Sequence, residues 1–331
     1  MSTYDHTQAK AALDALKEAL LGRYEVRKTA AQKSAFIDWA KEYAAQCGME
    51  MTVEESGKIV RTRNLIVGNP DTAKTLITAH YDTCARLPFP NFMTPACWPV
   101  IILTQIVLPM LIIVPLTGAM GYGMGKLCAA LNLSGLLTVL LTELLLFGIV
   151  FGMIWLMLAG PENPHTANDN TSGTAMVLLA MRLLGAREDV AYVLFDNEEK
   201  GLLGSSAFVK KHLAQQKNAF VLNMDCVSDG GTMLYACSKH AWKLPQAKAV
   251  AAALEETAPA YGLKPMSAPS PKVLYPSDQM AFVRGTAFAS LKGKRILYLD
   301  RIHTRHDTVF EDRNLLCLME VIARVLTGQA S

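Results

Sequence analysis

The sequence lacks the cysteine pattern of a disulfide-stabilised or zinc-finger protein. Its seven cysteines are odd in number and scattered, and none has Cys-x-x-Cys spacing. Reduced thiols in a cytosolic setting fit this pattern better than a disulfide framework does. The first twenty residues also lack an apolar core of signal-peptide length and have the spacing of an amphipathic helix. We therefore expect that the main domain is not exported.

Basic tracts are absent as well. The net charge is only +3, and no run of Lys and Arg alternates with aromatic residues. These two absences exclude nucleic acid as an expected partner. Internal repeats and low-complexity segments are not found either, which argues against a repeat architecture.

Charge is nearly missing from one part of the chain. Between Leu87 and Pro161 the charged residues are Lys126 and Glu143 alone, although the chain as a whole is 18% charged. We interpret residues 87–160 as an apolar insert in a single discontinuous domain made of residues 1–86 and 161–331. Two stretches of the insert, about 96–117 and 133–159, are long enough to cross a bilayer as helices. A Gly-rich stretch that contains Lys126 is expected to connect them.

Membrane insertion competes with two other interpretations of this insert, a buried helical hairpin and a dimerisation arm of a soluble protein. Pro99, Pro109 and Pro115 lie in the first stretch, and membrane helices tolerate proline better than isolated soluble helices do. Gly148 and Gly152 have the GxxxG spacing that allows close helix approach. The sequence therefore favours a transmembrane hairpin, through which homo-oligomers could form.

Outside the insert, apolar strands alternate with amphipathic helices. MTVEES, KIVRTRNLIVG, TLITAH, VAYVLFD, AFVLNMD and RILYLD are predicted strands, and the stretch from about Asp312 to Leu326 is the closing helix. The segment SAPSPKVLYPSD is predicted to be a loop. This alternation predicts an α/β fold, a three-layer sandwich around a mixed, mostly parallel sheet.

Histidine and carboxylate residues collect in stretches that follow predicted strands or enter helices. They occur in AHYDT (His80, Asp82), ANDNTSG (Asp169), FDNEEKGLLGS (Glu198, Glu199), NMDCVSDGG (Asp225) and IHTRHDT (His303). Such strand ends are where sites collect in α/β sheets, and this donor set without sulfur suits a pair of zinc ions bridged by a carboxylate. Individually, the two glutamates could begin a solvated helix, Asp225 could be a turn residue, and His306 is an alternative ligand to His303.

Together and in this order, the five motifs resemble those of the co-catalytic zinc aminopeptidase family. That family includes secreted bacterial leucine aminopeptidases, and its relatives include glutamate carboxypeptidase, glutaminyl cyclases and transferrin receptors. The resemblance covers nearly all of the chain outside the insert. It implies a zinc-dependent hydrolase with two zinc ions per chain.

The resemblance also implies a role for each residue. His80 and Asp225 would hold one zinc, Glu199 and His303 the other, with Asp169 bridging them, Glu198 acting as general base, and Asp82 accepting the free ring N–H of His80. One departure concerns the pocket: many relatives have Ser-Asp-His where this chain has Ser277-Asp278-Gln279. Asp278 is therefore a substrate-pocket candidate, and Tyr275 in the same loop is a candidate donor to a developing oxyanion.

The proposed ligands constrain the insert. His80 and Asp169 must reach one metal centre although the whole insert separates them, so the chain must leave and return at nearly the same place. Two spans achieve this. We expect a multi-pass cell-membrane protein with its catalytic domain on the cytoplasmic face and Lys126 near the opposite face, because most Lys and Arg residues lie in that domain.

Three functions follow from this interpretation. The first is a membrane-anchored di-zinc aminopeptidase that hydrolyses the N-terminal residue of short peptides with a metal-activated water. The second is an amidase or deacylase of lipidated or N-acyl amino-acid substrates presented by the lipid bilayer. A non-catalytic, receptor-like homologue is the third, and it would be expected to have lost ligands that this chain retains. Glutaminyl-cyclase chemistry is less favoured because that branch uses a single zinc.

Overall fold

The computed structural model describes residues 4–87 and 91–328, and the predicted start of the insert therefore adjoins residues 88–90, which lie outside the described part. Eight strands form one sheet in the order β1-β2-β4-β3-β5-β8-β6-β7. The strands are β1 (Met51–Ser56), β2 (Thr62–Val67), β3 (Thr75–His80), β4 (Val190–Phe195), β5 (Phe220–Met224), β6 (Thr232–Cys237), β7 (Lys264–Pro269) and β8 (Gly285–Leu291). The predicted mixed α/β sheet is thus confirmed.

The centre of the sheet is parallel and its flanks are mixed. Strands β4, β3, β5 and β8 run in the same direction, whereas β2 is antiparallel to β4 and β6 is antiparallel to β8. β3, β4 and β5 are buried at every position and are rich in Val, Ile, Leu and Phe, as strands covered on both faces must be. The carboxyl ends of these three neighbouring strands therefore lie at one edge, which we call the catalytic edge.

Helices cover both faces of the sheet. The helices outside the insert are α1 (His6–Arg23), α2 (Ala30–Gln46), α6 (Gly173–Leu184), α7 (Leu203–Lys211), α8 (Leu213–Asn218), α9 (Pro245–Thr257) and α10 (Asp312–Leu326). Helices α1, α2, α6, α9 and α10 contribute to the larger core cluster, and α7 supplies Phe208 and Val209 to a second cluster on the opposite face. These layers form the predicted three-layer sandwich.

The sequence analysis predicted one strand that does not form and missed three that do. RILYLD does not form a strand; it makes only isolated bridges, from Tyr298 to Lys292 and from Leu299 to Met93. The sheet instead takes β6, β7 and β8, of which β7 overlaps the start of the predicted loop. Their sequences TMLYAC, KPMSAP and GTAFASL are rich in small residues and poor in β-branched ones, so local propensity gives little sign of a strand.

The insert is a helical hairpin. Helix α3 (Trp98–Ile102) continues through a π-helical turn (Leu103–Val107) into α4 (Leu108–Ala130), and α5 (Gly135–Ala159) returns. The predicted Gly-rich connection is wrong, because α4 includes it and carries Lys126 within the helix. α4 and α5 are long and apolar enough to cross a membrane, and in α5 no residue is buried. Of these two helices, only Cys128 is buried.

The neck of the hairpin is tied to the catalytic edge. The amide of Leu87 donates to the carbonyl of His303, and Ala85 forms a bridge with Glu162 on the returning chain. The chain thus leaves and re-enters the domain at one place, as the expected positions of His80 and Asp169 required.

Candidate active site

Three adjacent parallel strands deliver side chains to the catalytic edge. His80 ends β3, Glu198 and Glu199 follow β4, and Asp225 follows β5. In the register of β3 and β4, His80 lies opposite Phe195, so the turn after β4 passes beside the imidazole. Asp169 enters from the segment before α6, and His303 from the loop before α10. The fold brings together every metal ligand expected from the sequence.

The ligand atoms form two groups that share Asp169. His80 Nε2 lies 3.5 Å from Asp169 Oδ1 and 3.8 Å from Asp225 Oδ1. His303 Nε2 lies 3.1 Å from Asp169 Oδ2 and 3.4 Å from Glu199 Oε2. The two oxygens of one carboxylate thus face two different histidines. His306, the alternative ligand, is exposed to solvent.

This arrangement fits zinc. Ligand atoms about 2.0–2.1 Å from a tetrahedral zinc lie roughly 3.3 Å from one another, close to the separations observed here. Imidazole nitrogens and carboxylate oxygens are donors that zinc accepts. In addition, the buried Oε1 of Glu199 makes no hydrogen bond within the described part of the chain. A buried carboxylate oxygen that lacks a hydrogen-bond partner fits the role of a metal ligand.

Cys84 is a further neighbour of these ligands, and the sequence analysis assigned it no role. Its Sγ lies within 4.8 Å of ligand atoms of Asp169, Glu199 and His303. Burial, followed by the charges of Glu199 and Asp169, raises the pKa of the thiol well above its usual value. Without a metal the thiol therefore stays protonated. No Cys-rich spacing could have indicated this proximity, because Cys84 is the only cysteine in the cluster.

Asp169 is held by a second carboxylate. The amides of Asn168 and Asp169 each donate to one oxygen of Asp307, at 2.9 Å. Burial and the charge of Asp169 raise the pKa of Asp307 to about 8. Burial also disfavours the ionised form of Asp169, but hydrogen bonds with His303 and His80 outweigh it and lower the pKa of Asp169. Asp307 is the acid of the IHTRHDT motif, to which the sequence interpretation gave no role.

The rest of the ANDNTSG motif joins this loop to β3 and β5. The Asn170 amide donates to the carbonyls of Met224, at 3.0 Å, and His80, at 3.3 Å. Gly173 packs so closely that a Cβ atom would lie 2.2 Å from the carbonyl oxygen of Met224. Only glycine fits there. The motif therefore places Asp169 relative to both His80 and Asp225.

Asp82 acts differently from the expectation that it orients the ring of His80. Its carboxylate accepts the amide protons of Glu198, at 3.0 Å, and of Glu199, at 3.3 Å. The Nδ1 atom of His80 is nearer to the main-chain carbonyl of Asp82, at 3.1 Å, than to its carboxylate, at 3.6 Å. The ring is thus oriented mainly by a backbone carbonyl, and the carboxylate of Asp82 fixes the turn that presents the two glutamates.

Glu198 lies beside both ligand groups and is a member of neither. Its carboxylate lies within 4.8 Å of the ligand atoms of His80 and Glu199. Burial raises the pKa of Glu198 well above its usual value, and the nearby charges of Glu199, Asp278 and Asp225 add to the rise. A carboxyl group with a raised pKa beside a metal site is suited to taking up and returning a proton.

The two substrate-pocket candidates are buried. The Tyr275 hydroxyl donates to the main-chain carbonyl of Asp225, at 3.1 Å. Its proton is therefore already engaged, and this contact does not support the expected role of Tyr275 as an oxyanion donor. Asp278 is fully buried, and burial raises the pKa of its carboxyl to about 7, against the opposing effects of His80 and the Ser205 hydroxyl. Both side chains support the site from within the protein.

Two buried cations near the site were not expected. Arg27 is fully buried; its Nε donates to the carbonyl of Tyr81 at 2.5 Å, and its Nη atoms donate to the Thr171 hydroxyl at 3.1 Å. Lys33 pairs with Asp196 and contacts Asn197 Oδ1 at 2.9 Å, immediately before Glu198. Arg27 thus links the ends of β3 and the Asp169 loop, and Lys33 holds the turn after β4.

Two histidines around a shared aspartate, at the carboxyl end of the parallel strands of an α/β sheet, are the arrangement of a metal-dependent hydrolase. A family model described as peptidase family M28 matches residues 155–325. The chain belongs to peptidase family M28 and is a zinc metallopeptidase. Comparison with curated protein sequences gives no significant match.

Solved structures share the fold. Glutaminyl cyclase of Porphyromonas gingivalis is similar with a TM-score of 0.60 and 15% identity, over 99% of this chain and 100% of that one. A Zn-dependent exopeptidase of Parabacteroides distasonis has a TM-score of 0.61 and 13% identity, over 98% of each chain. A leucine aminopeptidase precursor of Bacteroides thetaiotaomicron has a TM-score of 0.58 and 14% identity, over 98% of this chain and 97% of that one.

Proposed function

We propose that this protein is a membrane-anchored aminopeptidase that uses two zinc ions to remove N-terminal residues from short peptides. The observation that carries the proposal is the position of Asp169, whose Oδ1 faces His80 and whose Oδ2 faces His303. His80 and Asp225 would hold one ion, and His303 and Glu199 the other. A single-zinc site would need only one of these groups.

The chemistry divides between the metal and the chain. When bound, zinc lowers the pKa of water and polarises a carbonyl group. Glu198, with its raised pKa, takes the proton of the attacking water and returns it to the leaving amine. Asp82 keeps the Glu198 amide, and so the base, in place.

The charge of the site favours a substrate with a free amine. Asp82, Asp169, Glu198, Glu199 and Asp225 surround two imidazoles. Two bound zinc ions would offset four of these five negative charges, and the remaining excess of negative charge favours a cationic α-ammonium group over a free carboxylate. A peptide would therefore enter with its N-terminus toward the metal ions.

Membrane anchoring is supported by the exposure of the hairpin. Helices α4 and α5 would span about 34 Å and 37 Å, sufficient for a hydrocarbon core of about 30 Å. Large apolar side chains along both helices are exposed, among them Leu111, Ile112, Leu144 and Phe147. An apolar surface of this extent on a soluble protein would aggregate unless another surface covered it. We place the catalytic domain on the cytoplasmic face.

A second candidate activity has its own observation. The Nζ atom of Lys28 donates to the carbonyl of Leu158, at the end of α5, and the charge of nearby Glu199 acts on the same ammonium group. The end of a proposed membrane helix is therefore close to the metal ligands. An amidase acting on N-acyl or lipidated amino acids would benefit from that position, because such substrates concentrate in the bilayer.

The experiment is a substrate panel tested on the purified full chain in detergent. It contains a free dipeptide, the same dipeptide with an N-acetyl group, a long-chain N-acyl amino acid and a peptide that begins with glutamine. We expect hydrolysis of the two substrates with a free N-terminus, the dipeptide and the glutamine peptide, and none of the two acylated substrates. Preference for the acyl amino acid would favour the amidase, and a pyroglutamyl product would favour the activity named for the glutaminyl cyclases.

The matched variant is Glu198→Gln, which preserves shape and removes the base. We expect it to keep its zinc, two ions per chain by elemental analysis, and to lose activity by about 10³-fold. Asp38→Asn, on the exposed face of α2, serves as the control. Near-normal turnover in Glu198→Gln would contradict the base assignment, and one zinc per chain would contradict the bridging role of Asp169.

A further inference from the structure

Two loop tips carry exposed isoleucine side chains next to basic residues. The β2 tip, residues 57–61, joins β1 to β2 and contains Ile59, which is 99% exposed. The β8 tip, residues 293–297, follows β8 and contains Ile296, which is 43% exposed. Val60, next to Ile59, is 39% exposed as well, so the β2 tip ends in a small apolar surface with basic residues on both sides of it.

Both tips lie at the catalytic edge. β2 is antiparallel to β4, with Leu65 opposite Leu194, so the start of β2 and its tip extend past the carboxyl end of β4. β8 is parallel to β5, with Phe288 opposite Met224, so the β8 tip extends past the carboxyl end of β5. In the sheet order, β2 and β8 flank β4, β3 and β5. The tips therefore stand on either side of the metal centre.

The apolar hairpin begins and ends at this same edge. Met93, shortly before α3, bridges to Leu299, two residues beyond the β8 tip. On the other side, the end of α5 contacts Lys28, which precedes α2. The two tips and the neck of the hairpin thus form three separate points along one edge of the domain.

The charges of the tips suit a lipid surface. Lys58, Lys294 and Arg295 are exposed, and none of them makes an ion pair within residues 4–87 and 91–328. Arg61, also in the β2 tip, is paired with Glu55. Segments that contact a membrane surface combine apolar residues, which enter the headgroup region, with lysine and arginine, which bind anionic lipid. Both tips have this composition.

We propose that the β2 tip and the β8 tip dock on the anionic surface of the bilayer in which the hairpin is anchored. This inference rests on the proposed membrane anchoring and adds two contacts to it. The tips, placed on both sides of the metal centre, hold the catalytic edge flat against the membrane. The entrance to the metal centre then faces the headgroup layer, and substrates reach it from the membrane surface.

The test is photo-crosslinking of the full chain in nanodiscs of phosphatidylcholine and phosphatidylglycerol. A benzophenone amino acid replaces one residue at a time: Ile59, Ile296, Leu144 in α5, or Glu188, which is exposed before β4 at the opposite edge. We expect lipid adducts at positions 59, 296 and 144 and none at 188.

Each other outcome is decisive. Adducts at position 144 alone would overturn the docking while leaving the anchoring intact. No lipid adduct at any position would contradict the anchoring itself, and the docking with it. Crosslinks from 59 and 296 to a second copy of the chain would replace the membrane by a dimer interface.

The charge contribution is tested separately. In the triple variant Lys58→Gln, Lys294→Gln and Arg295→Gln, adduct yield at position 59 or 296 should fall by about fivefold for each charge removed near that tip. Lys41→Gln, an exposed change on α2, should leave the yields unchanged. Equal yields in the triple variant and the parent would refute recognition of anionic lipid.

Discussion

Asp169 shows how much of this site depends on a single carboxylate. Each of its oxygens faces one histidine, and its own amide is fixed by Asp307. An amide side chain at position 169 would have the same shape but would present only one acceptor oxygen and no charge. The two ligand groups would then lose the atom that joins them.

Protons compete with zinc for these ligands, which gives a prediction about pH. Burial opposes protonation of His303, but Glu199 and Asp169 outweigh it and raise the pKa of His303 to about 9. Burial raises the pKa of Glu199 to about 8. Below these values both groups hold protons that zinc must displace, so affinity should rise with pH and level off above about 9.

The expected slope is at least about tenfold in zinc affinity per pH unit between about pH 6 and pH 8, measured by competition with a chelating dye. His306→Asn, which changes an exposed histidine three residues from the ligand, should give the same slope as the parent. A zinc affinity independent of pH across this range would contradict the proposed ligands.

Arg27 carries a second prediction at this scale. Arg27→Met would leave the carbonyls of Tyr81, Tyr24 and Glu25 without a buried donor. We expect a loss of about 3 kcal/mol or more in the free energy of unfolding, measured with urea on the metal-free protein. Arg27→Lys keeps the charge but not the planar guanidinium group with its several N–H donors, so it should recover only part of the lost stability.

The control for this prediction is Arg23→Met, on the exposed last turn of α1, which should change stability by no more than about 0.5 kcal/mol. If Arg27→Met is as stable as Arg23→Met, the buried guanidinium does not organise the site.

Some of these residues could be predicted from the sequence, and others could not. His80, Asp169, Glu199, Asp225 and His303 stand in motifs where residue type and strand position indicate the same chemistry. Arg27 and Lys33 stand in or beside α2 with no local pattern, and lone basic residues of a helix are usually solvated. Their burial depends on Tyr81 and Asp196, which lie far away in the sequence.

At the scale of elements, α4 extends further than the sequence analysis expected. The Gly-rich stretch that would form a loop in water is helical through Ala130. In the proposed bilayer, apolar surroundings would offer no alternative partner for these backbone groups, and glycine is common in membrane helices. The strands β6, β7 and β8 were missed for a related reason, because neighbours in the sheet rather than local propensity hold them in place.

The hairpin should be removable. The segment before it must stay, because Met93 bridges to Leu299 and the amide of Leu274 donates to the carbonyl of Pro95. We predict that replacing residues 98–159 by a short flexible linker gives a monodisperse, folded protein without detergent. Circular dichroism, gel filtration and zinc content would check this, with the full chain in detergent as reference.

The physical reason is that α4 and α5 bury only Cys128, so the core clusters lose almost nothing. Aggregation of the shortened chain, or loss of its zinc, would show that the hairpin belongs to the core of the catalytic domain.

At the scale of the whole molecule, orientation in the membrane is set by charge. Within residues 88–160, Lys126 is the only basic residue, whereas Arg86 and nearly all other Lys and Arg residues lie in the catalytic domain. Basic residues close to membrane helices favour the cytoplasmic side. The catalytic domain should therefore be cytoplasmic, and the turn 131–134 should lie on the opposite side.

Cysteine labelling with a membrane-impermeant maleimide decides this orientation. Leu131→Cys places an exposed thiol in the turn between α4 and α5, and Asp38→Cys places one on α2 of the catalytic domain. In sealed right-side-out vesicles the thiol at position 131 should react and the thiol at 38 should not; inverted vesicles should give the reverse. Reaction of both positions on one side would mean that the hairpin does not cross the bilayer. Exchange of the two patterns would place the metal centre, and its substrates, outside the cell.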